Sequence, residues 1–176
     1  MVARLIPFKR HILVLPVFKK LIEEGYDIQV MILDEGPEKQ VLENYIQKNN
    51  LDNKIHLIGF TRDFLDYMKA ADLLIHPSIT EASNNVVKEI ALMEKVVAVC
   101  KGVGDFDEYI QSGINGYQLD IASPEVDVDK VIREIYSEPD KQLTLGTELR
   151  KTVLAKFKDN TLPLQRYAEM INENIH

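Results

Sequence analysis

Two carboxylates at E-x7-E spacing, Glu81 and Glu89, and three cations, Arg4, Lys9 and Arg10, are the residues whose types could do chemistry together. A carboxylate accepts hydrogen bonds from sugar hydroxyls. A guanidinium forks onto two phosphate oxygens, and an ammonium acts on them as a point charge. The set suits a ligand that is half phosphate and half sugar. Plainer readings compete. Two spaced glutamates recur by chance in acidic chains and usually solvate a surface, and a basic loop needs no ligand. Basic residues at the carboxyl end of a strand, in a net acidic protein, favour an anion site.

The neighbouring sequence supplies elements to position these groups. Leu73 to Ile75 is a short apolar run that reads as a buried strand, and Pro77 ends it, because proline gives no N–H to a ladder. A polar loop carries Glu81. Asn84 is placed to cap a helix through Asn85, Val86, Val87 and Ile90, with Glu89 about two turns in. A free helix N-terminus beyond a strand's carboxyl end attracts phosphate. Two further loops follow strands. Gly102-Val-Gly104 lets a backbone approach a ligand closely, or simply makes a turn. Gly59-Phe60-Thr61-Arg62 is placed to hold a flat ring by its backbone, or is a surface turn.

In chain order, strands are predicted at Val2–Ile6, Asp27–Leu33, Ile55–Ile58, Leu73–His76, Val96–Cys100 and Tyr117–Leu119. Helices are predicted at His11–Glu24, from Gly36-Pro37 to about Asn49, and at Phe64–Ala70, Asn85–Met93, Phe106–Gln111, Pro124–Ser137, Asp140–Lys156 and Leu164–Asn174. Strands alternating with helices at short spacing give the α/β class: a Rossmann-like, doubly wound parallel sheet with helices on both faces. Right-handed crossovers bring the strand-to-helix loops to one edge. No repeat or linker interrupts the chain, so residues 1–176 read as one domain.

Composition narrows the function. A net charge of −7, from 21 basic and 28 acidic residues, argues against nonspecific nucleic-acid binding. The single cysteine, Cys100, excludes an internal disulfide and fits a small buried residue. The apolar runs are too short to span a bilayer, and the first residues read as a strand rather than a signal peptide. His11, His56, His76 and His176 lack metal-ligand spacing, and no G-x-S-x-G elbow or Walker A sequence occurs. His76, beside Pro77, reads as packing at a strand end.

The order of motifs resembles the C-terminal, donor-binding domain of retaining GT-B glycosyltransferases of the large family 4 (group 1). Val2-Ala-Arg-Leu-Ile-Pro-Phe-Lys9 is similar to the family's V-G-R-L-x-x-x-K segment, and Asp34-Glu-Gly-Pro37 to its G-D-G-P turn. His56-Leu-Ile-Gly-Phe60, Ala71-Asp72 through Ser78, the pair Glu81 and Glu89, and Gly113-Ile-Asn-Gly116 follow in the family's order. The resemblance implies that Arg4 and Lys9 hold the donor diphosphate, that Glu81 contacts the transferred sugar, and that Glu89 bonds the ribose. It implies that Phe60 and Thr61 meet the base, that the helix start at Asn84, Asn85 and Val86 lies on the donor, and that Gly104, Asp105 and Phe106 lie near the donor sugar. The donor is a nucleotide-diphosphate sugar, with no metal or other cofactor required. Departures occur where the family has glycine: here stand Ala3, Arg10, Ala82 and Glu94. The resemblance further implies an N-terminal acceptor-binding domain that this sequence does not include, and places its first residues inside a central strand. It implies a cytoplasmic enzyme of polysaccharide or glycolipid synthesis, peripheral at the membrane face. A nucleotide-sugar epimerase of the same architecture and a non-catalytic nucleotide-binding or assembly domain are the alternatives.

Overall fold

The computed structural model describes residues 1–157 of the 176. The helix expected at Leu164–Asn174 and His176 lie outside the described residues.

Among the described residues, five strands and six α-helices follow one another: α1 (His11–Glu23), β1 (Val30–Leu33), α2 (Lys39–Lys48), β2 (Ile55–Gly59), α3 (Phe64–Ala70), β3 (Leu73–His76), α4 (Asn85–Leu92), β4 (Val96–Cys100), β5 (Tyr117–Leu119), α5 (Pro124–Ser137) and α6 (Pro139–Lys156). All strand pairs are parallel: β1 with β2, β3 with β4, and β4 with β5. Every residue of β4 is buried, as a continuous apolar strand covered on both faces should be. Helix α1 packs against α2 and α5, and α6 against α4 and β4.

Hydrogen bonding divides the strands into two sheets, β1–β2 and β3–β4–β5. The strand expected at Val2–Ile6 is reduced to a single parallel bridge, Val2 to Leu33. A strand needs a ladder, and this segment has one only at its start. Past Ala3 it turns into the loop edge, where Leu5 N–H donates to the Glu35 carbonyl at 3.0 Å.

Other limits also shifted. The strand expected from Asp27 begins at Val30, and α2 begins at Lys39 instead of Gly36. Gly36 is held against the Leu5 backbone, where a Cβ would collide, so residues 36–38 form a turn. The helix expected at Phe106–Gln111 is a 3₁₀ turn, Phe106–Glu108.

Candidate functional site

The loops at the carboxyl ends of the strands interlock. Pro7–Lys9 forms a 3₁₀ turn. Its Phe8 carbonyl accepts from Ile79 N–H at 3.0 Å and from the Ser78 hydroxyl at 3.3 Å, which ties the Lys9 turn to the Glu81 loop. Asp34 N–H donates to the Gly59 carbonyl at 2.9 Å, which joins the next two loops. Gly104, at φ 57°, lies so close to Glu81 and Ala82 that a Cβ would sit 3.0 Å from the Ala82 carbonyl oxygen. The close backbone approach expected of this glycine is therefore made to the Glu81 loop itself.

Glu81 is the electrostatic centre. Its Oε1 takes two bonds, from the Lys9 ammonium and from His76 Nε2 at 2.6 Å. Burial raises a carboxyl, but the hydrogen bonds and charges of His76 and Lys9 outweigh it and hold Glu81 at about 2. Glu81 is thus a carboxylate across the working pH range. It can accept sugar hydroxyls or stabilise positive charge, and it cannot serve as a general acid.

His76 is the residue that the sequence reading undervalued. It ends β3 at 2% exposure, with Phe106 edge-on against its ring at 6.0 Å and the Asn84 amide 3.4 Å from Nε2. It does more than pack: it braces Glu81. Its position at the end of an inward-facing strand, five residues before Glu81, was the available signal.

The other expected residues divide. Asn84 caps α4, its side chain accepting from Val87 N–H at 3.0 Å. Asn85 is exposed beside it and Val86 half-buried. Arg4 is exposed, and among the described residues its side chain makes no hydrogen bond or ion pair. Lys9, expected on a phosphate, is paired here with Glu81. Glu89 is 6% exposed and engaged within the protein. Phe60 is 74% exposed at the end of β2, whereas the Thr61 hydroxyl is occupied by Asp63 N–H at 3.1 Å. Asp105 pairs with Lys88 at 3.0 Å and accepts from the Ser83 hydroxyl at 2.8 Å, leaving Oδ1 buried with no partner among the described residues. Phe106 is fully buried, so its ring backs His76 and does not line the site.

Arg10 is no ligand. At φ 54° it stands in left-handed backbone ahead of α1, and its guanidinium donates to the Pro77 and Ile121 carbonyls, both at 2.7 Å, and to Cys100 Sγ at 3.1 Å. Among the described residues, no group of three or more His, Cys, Asp or Glu could hold a metal ion. No helix among them is long and apolar enough to cross a membrane.

Known proteins match this arrangement. The chain is 20% identical over 172 residues to a poly(ribitol-phosphate) alpha-N-acetylglucosaminyltransferase of Staphylococcus aureus, covering 97% of this chain and 34% of that protein. It therefore spans about a third of that relative's length. HepE of Anabaena, solved in complex with UDP, superposes with a TM-score of 0.80 at 20% identity, over 99% of this chain and 48% of that one. The C-terminal domain of a group 1 glycosyl transferase, LpcC of Francisella tularensis, superposes with a TM-score of 0.76 at 17% identity, over 89% of this chain and 84% of that one. These likenesses establish the Rossmann-like GT-B fold. The family model of glycosyl transferases group 1 matches residues 1–152, and the chain belongs to that family.

Proposed function

We propose that residues 1–176 form the donor-binding half of a retaining glycosyltransferase, which holds a nucleotide-diphosphate sugar while a second, acceptor-binding half presents the acceptor. The observation that carries this is the charge arrangement at one edge. A fixed carboxylate, Glu81, holds the Lys9 ammonium and His76 beside the Asn84 cap of α4, and Arg4, exposed five residues ahead of Lys9, makes no ion pair among the described residues. An anion seated between Arg4 and that helix end places its attached sugar against Glu81. Lys9 then works as a shared cation, paired with Glu81 and within the same loop as the diphosphate. As the glycosidic bond breaks, negative charge grows on the leaving diphosphate, where a preorganised cation is worth most. Arg4 and α4 supply that charge, so no divalent metal is needed.

Relatives with this fold have been solved in complex with UDP, which makes uridine the first base to test. Calorimetric titration with UDP, GDP and ADP, each with and without EDTA, decides the matter. Saturable binding of one diphosphate, unchanged by EDTA, is expected. If none binds at millimolar ligand the reading is wrong, and if EDTA abolishes binding the metal-free donor site is wrong.

A further inference from the structure

Helix α4 turns Val87, Ile90, Ala91 and Leu92 into the core, and Lys88 goes in with them at 6% exposure. The Lys88 ammonium pairs with Asp105 at 3.0 Å and donates to the Ser83 hydroxyl. It also lies 4.2 Å from the centre of the Phe157 ring and 6.0 Å from that of Tyr109. Taking an ammonium and a carboxylate out of water is costly, and apolar residues of the same size commonly serve stability as well or better. Packing alone therefore asks for a methionine or leucine at this position. What the charge adds has to be sought in what it joins.

Ser83 belongs to the Glu81 loop and Asp105 to the loop that follows β4. Among the described residues, the bond from the Ser83 hydroxyl to Asp105 is the one hydrogen bond between residues 77–84 and residues 101–105. Lys88 locks it by bonding to both partners. The contact held in this way is a tight one. A Cβ on Gly104, the residue before Asp105, would lie 3.0 Å from the Glu81 Cβ. Gly104 thus closes the flank of the side chain whose carboxylate meets His76 and Lys9. If the two loops separate, that flank opens and Glu81 gains rotamers. Lys88 itself stays behind the site, with its side chain 8% exposed.

We infer that Lys88 is a positioning residue for the sugar of the donor. Through Asp105 and Ser83 it holds the loop after β4 against Glu81, so the carboxylate keeps one orientation when a sugar hydroxyl arrives. The ligand in this statement rests on the donor-site reading above, whereas the tie between the loops does not. Stability and sugar preference should therefore come apart. Removing both charges relieves the cost of burying them and leaves the loops untied.

The test is a double-mutant cycle of Lys88→Met and Asp105→Asn in the full chain. UDP and UDP-glucose are titrated into each variant by calorimetry, the melting temperature is recorded, and amide exchange at residues 79–83 is followed without ligand. Lys88→Met lowers the affinity for UDP-glucose about tenfold, leaves that for UDP within about twofold, and speeds the exchange about tenfold. In the Asp105→Asn background Lys88→Met costs no further affinity, since the ammonium acts through that carboxylate. The double variant regains the melting temperature, because no unpaired charge stays buried, and does not regain the preference for UDP-glucose. Recovery of both together marks an ordinary structural pair and overturns the inference. A loss of preference in Asp105→Asn that Lys88→Met does not share also overturns it, because Asp105 then meets the sugar itself. So do equal affinities for the two ligands in every variant. If UDP binds to none of them, the donor site is refuted, and the exchange rates alone decide the tie: unchanged rates refute it as well.

Discussion

At the scale of single residues, the site turns on which charges are already committed. Arg4 has no partner among the described residues, so its removal breaks no ion pair. In an enzyme completed by its acceptor-binding half, Arg4→Ala lowers kcat by roughly 10²–10³, by analogy with losing one oxyanion donor. The melting temperature of the same preparation stays near that of the unmodified chain. Arg4→Lys restores part of the rate, since it keeps the charge and loses the fork. A fall in melting temperature with kcat intact would show Arg4 to be structural. Glu81 and Glu89 separate differently. Glu89→Gln keeps the shape of a buried side chain and weakens binding of the bare nucleoside diphosphate by about tenfold to a hundredfold, the worth of one charge-assisted bond. Glu81→Gln weakens mainly the sugar conjugate. Equal losses for both ligands in both variants would refute the division of roles.

At the scale of elements, two glycines of the family pattern are replaced by side chains without loss of the turn. Arg10 and Glu94 both hold left-handed backbone, at φ 54° and φ 58°. Such a conformation costs a non-glycine residue roughly 1–2 kcal/mol. Arg10 offsets it with three bonds that clamp the Pro77 loop, β4 and Ile121. Glu94 has only a partly exposed pair with Arg150 at 3.0 Å, and pairs of that kind are worth little. Glu94→Gly therefore stabilises the protein by about 1 kcal/mol, whereas Arg10→Gly destabilises it. Urea midpoints at unchanged m-value measure both, and a destabilising Glu94→Gly would show the Arg150 pair to be worth more than the strain. The spacing Glu94-Lys-Val96 displayed the departure. Its consequence depended on α6, whose Gly146 packs directly on the Glu94 carbonyl.

At the scale of the molecule, acid sensitivity follows from a buried base. His11, at the start of α1, is 1% exposed, and its Nδ1 has no partner among the described residues. Burial first, then the nearby amino terminus, His76 and Lys9, lowers its pKa to about 3. The unfolded chain takes up this proton near its ordinary value of 6.5 and the folded chain does not, so stability falls as pH drops below that value. Between pH 7 and pH 5 the loss attributable to His11 is roughly 2 kcal/mol. His11→Leu removes that share of the slope in denaturation curves measured at the two pH values, and an unchanged slope would show the imidazole to be protonated in the fold. The whole molecule also sets the limit of activity. The chain alone is expected to bind donor and transfer no sugar, and transfer to any acceptor in a radiolabel assay would contradict the two-half reading.

The sequence by itself determined the elements whose signals are local. The apolar runs Leu73 to Ile75 and Val96 to Cys100, the cap at Asn84 and the turn glycines specify strand, helix and loop through nearest neighbours, and those elements occur where expected. The E-x7-E spacing of Glu81 and Glu89 and the basic segment before α1 are local features of the same kind. Tertiary structure decided what depends on residues distant in sequence. It placed Lys9 on Glu81 across 72 positions, and made His76 a brace rather than a packing residue. It turned Phe106 inward, and it withheld a ladder from Val2–Ile6, because a strand exists only where a partner edge runs beside it. Spacing reports which groups are available. Burial and pairing, which arise only when the loops meet at one edge, decide which of them are free to bind.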